Sequence, residues 1–294
     1  MSRDLYADVT ERIVAVLERG TAPWVRPWST VDAQPVNAAT QRPYRGVNVV
    51  LLALEAQAHG YTLNRWLTYR HASEFGGQVR RGERGSTVVF WKLRKIDVTA
   101  DSFPDKDEAD LHERVVPLLR AYTVFNVAQI DGLPPELSAS PPAAWEPEAR
   151  AEELLLMSGA RIRHGGALAC YQPSTDEIHL PPRQWFPRAD GYYATALHEL
   201  THWTSAPGRC NRQLGARFGD DAYAAEELIA EMGAAFLCAH CRIDSELQHH
   251  GGYLEHWLRV LRTDKRAIFV AATKAQQAAD YVLSLAHPNQ ALAA

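Results

Sequence analysis

Residues 189–205 read ADGYYATALHELTHWTS, and the HELTH segment at 198–202 decides the fold of the second half of the chain. The pattern predicts a helix with Asp190 as its N-cap. Residues four apart lie on one face of a helix, so His198 and His202 can direct their imidazole nitrogens at one ion. Glu199 can then act on a water at that ion without binding the ion itself. The spacing therefore predicts a metal-dependent hydrolase site with Glu199 as the catalytic general base.

A third ligand is predicted in the next helix, 222–239, which contains AEELIAE at 225–231. A catalytic zinc takes three protein ligands and keeps one position open. Glu227 and Glu231 are one helical turn apart, so we assign Glu227 as the ligand and Glu231 as the acceptor that orients a ligand histidine. Glu226 points about 100° away and is the weaker choice. The alternative interpretation is a helix that merely happens to carry two histidines.

The segment before the motif, ALACYQPSTDEIHLP at 167–181, predicts two short strands joined by a turn at PSTD. The outer strand would align an extended peptide substrate by main-chain pairing. Tyr171 and Tyr193 are candidates for lining the cleft, with Tyr171 as a donor to an oxyanion, although aromatic residues here are more often part of the core. Cys238 and Cys241 have no second pair at the spacing of a zinc site, so we interpret them as packing residues.

The rest of the chain divides at residues 131–148, DGLPPELSASPPAAWEPE, whose five prolines predict an extended linker without helix. We predict an α+β protein: a small N-terminal α+β domain at 1–130, the linker, and a mainly helical domain at 149–294 with a short β-sheet. Predicted helices lie at 3–19, 48–58, 68–75, 148–158 and, in one or two pieces, 252–285. Strands are predicted around TVVFW and over 118–130, with an acidic loop at 97–113.

Composition and charge limit the class of protein. The 46% hydrophobic and 22% charged residues are typical of a globular protein. The sequence shows no secretory h-region and no apolar run of roughly 18 residues, so we expect a cytoplasmic protein that does not enter a membrane. Residues 1–96 carry 14 Lys and Arg against 8 Asp and Glu, although the whole chain has a net charge of −4. A basic part in an acidic chain suggests a polyanionic partner, or simply a solvated charged face.

Basic and aromatic residues interleave between positions 24 and 95. Single-stranded nucleic acid is bound by such sets, because cations follow the phosphates while aromatic faces stack on bases. The alternative is that some of these rings belong to the core. The predicted set for single-stranded DNA is Trp24, Arg26, Trp28, Arg42, Tyr44, Arg45, Trp66, Tyr69, Arg70, Arg80, Arg81, Arg84, Trp91 and Lys92.

Seven stretches give the chain a resemblance to a known family. They are TAPWVRPW, RPYRGVNVVLL, WLTYRHASEFGGQVRRGERGSTVVFWK, AYTVFNVAQIDGLP, YYATALHELTHWT, AYAAEELIAEMGAAFLCA and DKRAIFVAATKAQQAADYVL. The sequence resembles the ArdC-like antirestriction proteins of conjugative plasmids, and its N-terminal half is also similar to part of the TraC-type plasmid primases. His198, Glu199, His202 and Glu227 stand where the pattern of the ArdC-like family needs them.

The resemblance implies an N-terminal domain that binds single-stranded DNA with little sequence preference. It also implies a zincin-like metallopeptidase domain that holds one divalent ion, zinc or alternatively manganese. The implied role is to protect incoming plasmid DNA from host restriction. Our own hypothesis adds a working peptidase, with a restriction subunit or another DNA-bound protein as its substrate, and delivery to the recipient cell with the DNA. One alternative is a non-catalytic protector with a structural metal domain. A primase accessory ranks last, because 1–130 lacks the clustered carboxylates that would hold magnesium.

Overall fold

The chain adopts a mixed α and β structure with two domains, as predicted. The structure, a computed structural model, describes residues 4–19, 34–96, 114–138, 147–186, 188–212, 221–243 and 254–287. Across these ranges no helix combines the length and apolar character that crossing a membrane requires. The predicted acidic loop at 97–113 lies outside the described residues.

In the N-terminal part, the described residues form three α-helices and six strands. The helices are α1 (Leu5–Leu17), α2 (Val47–His59) and α3 (Tyr69–Glu74), and the strands are β1 (Val36–Asn37), β2 (Arg65–Leu67), β3 (Gln78–Val79), β4 (Ser86–Ile96), β5 (Arg114–Asn126) and β6 (Ile130–Asp131). Both α1 and α3 begin where a side chain accepts backbone N–H groups: Asp4 accepts from Tyr6 and Ala7, and Thr68 accepts from His71. The three predicted helices are confirmed to within a few residues.

One four-stranded sheet organises this part, in the order β1-β2-β5-β4. β4 and β5 form a long antiparallel hairpin in which Val88 lies opposite Tyr122 and Phe90 lies opposite Arg120. β4 is the outer strand of the sheet. Its free edge is closed at one point by Asn48 of α2, whose amide donates to the Val89 carbonyl at 2.7 Å while its carbonyl oxygen accepts the Val89 N–H at 2.8 Å.

The Pro-rich segment differs from its prediction. We predicted no helix there, but Pro135–Ser138 form a four-residue helix, α4. Proline is tolerated in the first turn of a helix, because the N–H that it lacks would have no intrahelical partner at that position. Residues 139–146 lie outside the described part of the chain.

In the C-terminal part, a small sheet lies beside the helices that the structure describes there, which are α5 (Pro147–Met157), α6 (Ala189–Trp203), α7 (Asp221–Cys241), α8 (Leu254–Thr263) and α9 (Ala267–Ala286). Strands β8 (Cys170–Gln172) and β9 (Glu177–Leu180) are the predicted antiparallel pair. A third strand, β7 (Arg161–His164), was not predicted and pairs with β9 in parallel. The predicted N-cap of α6 was wrong: the cap position is Arg188, and Asp190 lies in the first turn.

Apolar contacts join the two parts of the chain. One buried cluster contains Ile13 and Leu17 of α1 together with Trp257 of α8 and Ile268 of α9. At its margin the Thr10 hydroxyl donates to the Lys265 carbonyl at 2.8 Å. Helix α1 therefore packs on the C-terminal helices, and the domain bounds at 130 and 149 stay predictions.

The contact between α6 and α7 is unusually close at Gly233. A Cβ atom at this glycine would lie 2.5 Å from Cγ2 of the buried Thr201. Glycine inside a helix costs about 1 kcal/mol relative to alanine. Its presence here is explained by the approach of the two helices, which sets Glu227 of α7 against the histidines of α6.

We expect Gly233→Ala to destabilise the protein by about 1–3 kcal/mol, because the added methyl group forces α6 and α7 apart. Urea unfolding monitored by circular dichroism measures the change. Thr201→Ala removes the atoms that would clash, so the double variant should be destabilised by less than the sum of the two single changes. A Gly233→Ala protein as stable as wild type would contradict the close approach.

Candidate functional site

Helices α6 and α7 bring His198, His202 and Glu227 together. Nε2 of His198 lies 3.5 Å from one carboxylate oxygen of Glu227, and Nε2 of His202 lies 3.5 Å from the other. One donor atom from each of the three residues lies within 4.8 Å of the others. The i, i+4 spacing in α6 produces this geometry, since it places both imidazoles on the side of the helix that faces α7.

The three side chains fit a divalent metal ion. Ligand atoms at 2.0–2.2 Å from a tetrahedral ion lie roughly 3.3–3.6 Å apart. Each imidazole Nε2 lies at such a distance, 3.5 Å, from a different oxygen of the Glu227 carboxylate. Two imidazoles and one carboxylate form one of the ligand sets of catalytic zinc. The set has three members, so a fourth position would remain for water or substrate.

The other ring nitrogen of each histidine faces a second carboxylate. Nδ1 of His198 lies 3.9 Å from Oε1 of Glu231, which is where an orienting residue was predicted. Nδ1 of His202 lies 3.4 Å from Oε1 of Glu226. Sequence reasoning missed this role of Glu226, because its angular offset from Glu227 counted only against metal binding.

Arg212 holds Glu226 in place. Nη2 of Arg212 donates to Oε1 of Glu226 at 2.8 Å and Nε donates to Oε2 at 3.1 Å, which gives a two-point contact. The same guanidinium donates to the Thr204 hydroxyl and the Thr201 carbonyl, both at 2.8 Å. The Arg212 side chain is 4% exposed. No sequence signal marks this arginine, which follows α6 in a loop and matches no motif.

The site has a strongly negative electrostatic character. Burial disfavours the charged form of His202, but the carboxylates of Glu226 and Glu227 outweigh burial and raise the pKa of His202 to about 10. Burial alone would raise the pKa of Glu227, whereas the two imidazoles lower it below its ordinary value. Glu199, Glu226, Glu227 and Glu231 are all buried. Bound cations offset such concentrated charge.

The edge strand β8 lies beside Glu199. Burial raises the pKa of the Cys170 thiol on this strand, and the negative charge of Glu199 adds to the rise. β8 is an outer strand of its sheet, in the order β7-β9-β8. Among the described strands β8 has no partner on its outer side, and its residue Cys170 lies near enough to Glu199 for their charges to interact.

The two tyrosines predicted for the cleft have other partners. The Tyr171 hydroxyl donates to Asp176 at 3.0 Å and accepts from Arg209 at 3.2 Å. Its hydroxyl is thus engaged in linking the β8–β9 turn to Arg209, which stacks on Trp203 at 3.9 Å. Tyr193, the other candidate for lining the cleft, is buried, and its hydroxyl donates to Glu152 at 2.9 Å. Cys238 and Cys241 are buried, as expected of packing residues.

The aromatic members of the predicted DNA set divide into buried and exposed residues. Trp66 was wrongly included, since it is fully buried and its indole N–H donates to Asn64 at 2.7 Å. Tyr44 is also buried, so little of its ring is open for stacking. Tyr69 and Trp91 are more than half exposed. Trp24, Arg26 and Trp28 lie outside the described residues.

The cationic members of the predicted DNA set divide into those that form ion pairs within the described part of the chain and those that do not. Arg45 pairs with Asp280, Arg70 pairs with Glu74 at 2.7 Å, and Arg80 pairs with Glu83 at 2.8 Å and Asp131 at 3.3 Å. The four that are exposed and form no ion pair within the described part of the chain are Arg42, Arg81, Arg84 and Lys92.

Three exposed residues of the β4–β5 hairpin stand outside the predicted DNA set. Phe90 is 45% exposed and Tyr122 is 44% exposed, and Arg120 lies opposite Phe90. Alternation along β4 does not signal this exposure, because Val88 shares a face with Phe90 and Lys92 but is fully buried.

Comparison with known proteins places both parts of the chain. Residues 149–274 match the family described as zincin-like metallopeptidase, and residues 3–125 match the N-terminal domain of the anti-restriction factor ArdC. The uncharacterised protein y4eC of Sinorhizobium fredii is 43% identical over 284 residues, which cover 95% of this chain and 91% of that protein. The DNA primase TraC of Escherichia coli is 40% identical over 97% of this chain, which spans only 27% of the primase.

Two solved structures share the fold. The metal-free crystal structure of the antirestriction protein ArdC from plasmid R388 is 43% identical, with a TM-score of 0.82 over 97% of this chain and 99% of that chain. Its Mn(II)-bound structure is 42% identical, with a TM-score of 0.79 over 98% and 100%. The zincin-like family, the manganese-bound relative and the donor set together support a divalent metal ion in this protein. Identity above 40% along nearly the whole of both chains shows that this protein belongs to the ArdC family of antirestriction proteins.

Proposed function

We propose that this protein hydrolyses peptide bonds at a metal centre held by His198, His202 and Glu227, and that it binds single-stranded DNA. Together these activities would protect incoming plasmid or mobile-element DNA from host restriction. The observation that carries the proposal is the convergence of three ligand atoms within 4.8 Å beside the buried Glu199.

Glu199 is the general base of this proposal. A divalent ion at the three ligands supplies Lewis acidity that activates water and polarises a carbonyl. Glu199 directly follows His198 in α6 and lies between the two histidines in the chain. Its carboxylate is therefore next to the ligands without being one of them. It would take a proton from the attacking water and pass it to the leaving amine.

Substrate alignment is assigned to β8. A peptide added to the open edge of β8 would lie parallel to the sheet and pass beside Glu199. The substrate class that we propose is a restriction subunit or another protein bound to the same DNA. Zinc is the favoured ion because its ligand set and tetrahedral spacing match, and manganese is the alternative because a relative binds it.

The alternative is a protector that covers single strands and uses the metal domain as a structural element. Structural zinc sites usually have four protein ligands and need no general base. The convergent set within the described residues has three, and a buried glutamate adjoins it. These two features favour catalysis. A primase accessory ranks lowest, since this chain corresponds to a quarter of the matched primase.

Single-stranded DNA is assigned to the N-terminal part. Its exposed cations that form no ion pair with another described residue, together with exposed Trp91 and Tyr69, are suited to phosphates and unstacked bases. The family match to the ArdC N-terminal domain supports the same assignment. We propose that the protein acts in the cytoplasm and can reach the recipient cell with the transferred DNA.

We expect Glu199→Gln to keep the metal ion but to lose cleavage and plasmid protection, because the amide cannot accept a proton. The variant and wild type are incubated with single-stranded DNA and host restriction proteins, and new peptide termini are identified by mass spectrometry. Glu227→Gln is the matched change, and it should lose metal as well. Protection by a Glu199→Gln protein that retains metal, with no cleavage by either form, would instead support the structural alternative.

We expect Glu226→Gln to weaken metal binding by about 10- to 100-fold, because the carboxylate that faces Nδ1 of His202 helps to orient that ligand. Competition with a chromogenic chelator measures the affinity. Glu255→Gln on the exposed side of α8 removes the same charge far from the site and should change nothing. Equal affinities for the two variants would mean that Glu226 does not orient His202.

We expect Arg42→Gln to weaken binding to single-stranded DNA and to reduce the slope of log affinity against log salt by about 0.7, the value for one phosphate contact on a single strand. Fluorescence anisotropy at several salt concentrations gives the slope. Arg70→Gln is the control, because Glu74 already offsets the charge of Arg70. A larger effect at Arg70 than at Arg42 would count against the assignment of unpaired cations as the phosphate contacts.

A further inference from the structure

A groove lies along the outer edge of β4, between the segment 37–48 and helix α9. Its volume is about 620 Å³, which falls within the roughly 300–1,000 Å³ of ligand-binding clefts. Arg42, Phe90 and Trp91 line the N-terminal side, and Thr273 and Gln277 line the α9 side. The groove therefore belongs to both parts of the chain.

Aromatic rings are exposed in and beside this groove. Phe90 and Tyr122 meet edge to face at 5.7 Å and are both nearly half exposed. Trp91, 52% exposed, lies on the opposite face of the same strand. Large apolar side chains left open in a cluster indicate a binding surface rather than a core.

Cations surround these rings. Arg42 lines the groove, Arg120 lies directly opposite Phe90, and Lys92 follows Phe90 on the same face of β4. All three are exposed, and none forms an ion pair within the described ranges. Rings flanked by unpaired cations match the chemistry of single-stranded nucleic acid, whose bases stack while its phosphates attract positive charge.

Asn48 argues against a peptide in the same place. A peptide that extended the sheet would need the outward N–H and C=O groups of β4. At Val89, in the wall of the groove, the Asn48 amide already satisfies both groups. Duplex DNA is disfavoured as well, because its bases are already stacked on one another and cannot cover Phe90.

We infer that single-stranded DNA lies in this groove, with bases stacked on Phe90 and Tyr122 and with helix α9 of the metal-binding part as the second wall. This inference rests on the proposed DNA binding and extends the DNA site beyond the N-terminal domain. The wall is fixed in place, since the Gly46 N–H donates to Gln276 at 3.1 Å and Arg45 pairs with Asp280.

Helix α9 also contacts the helix that carries the candidate metal ligands. Tyr281 of α9 lies 6.3 Å from Trp203, ring centre to ring centre, and Trp203 follows His202 in the chain. DNA in the groove would therefore touch an element that packs directly on α6. A protein bound to the same strand would be held near the metal centre.

The first test measures how much the aromatic wall contributes to the affinity of the full-length protein for a fluorescently labelled oligo(dT). Phe90→Ala should raise the Kd by about five-fold or more, because a stacked base is lost. Phe75→Ala removes another partly exposed phenylalanine of the N-terminal part, outside the groove, and should leave the Kd unchanged. Thermal melts of both variants establish that they fold.

The second test measures how much the α9 wall contributes to the affinity for the same oligo(dT). Thr273→Glu places a negative charge in the groove and should raise the Kd by roughly three- to ten-fold at low salt, with a smaller effect at high salt. Thr263→Glu is the matched control, because Thr263 is also an exposed helical threonine whose hydroxyl donates to the carbonyl four residues earlier. It should bind as wild type does.

The outcomes separate this inference from the proposed function. If wild type binds oligo(dT) and both groove variants bind equally well, DNA binding stands and the groove is excluded. If Phe90→Ala weakens binding but Thr273→Glu has no effect, then α9 does not line the DNA site. The DNA site is then confined to the N-terminal domain, and the inference is wrong. Absence of binding by wild type overturns the proposed DNA binding itself. Photocrosslinking of a 5-iodouracil strand should label Phe90, Trp91 or Tyr122.

Discussion

The burial of four carboxylates and two imidazoles between α6 and α7 is the constraint on which the C-terminal part depends. The ion pair of Glu226 with Arg212 and the contacts of the carboxylates with the histidines offset this charge within the described residues. An isolated buried carboxylate is expensive, so such a cluster is stable only when cations and hydrogen bonds compensate it. In our proposal a divalent ion between His198, His202 and Glu227 would supply that compensation.

The same arrangement links the two parts of the molecule. Helix α9 packs against α7 on one side and forms the wall of the β4 groove on the other. Helix α1, at the other end of the chain, is buried against α8 and α9. Binding at the groove therefore acts on helices that also support the metal centre. Linking two sites through one rigid element raises the effective concentration of a DNA-bound protein at the second site without any new contact.

The sequence predicted most of the elements and the centre of the site, because both depend on local periodicity. His198, His202 and Glu227 were found since i, i+4 spacing on two helices determines which side chains face each other. Arg212 and the role of Glu226 were not found, because they depend on how a loop returns over α6. The parallel strand β7 was missed for a similar reason, as its pairing with β9 is a tertiary contact. Trp66 was misjudged because composition does not show which face of a strand or loop is covered by α2.

The central claim is that one ion is held by two histidines and a glutamate. Anomalous diffraction from crystals of the metal-loaded protein, recorded above and below the zinc and manganese absorption edges, tests it most directly. The account predicts a single strong peak at roughly 2.0–2.2 Å from Nε2 of His198, Nε2 of His202 and a carboxylate oxygen of Glu227. A peak at Glu226, or the absence of any peak between α6 and α7 in fully loaded protein, would contradict it.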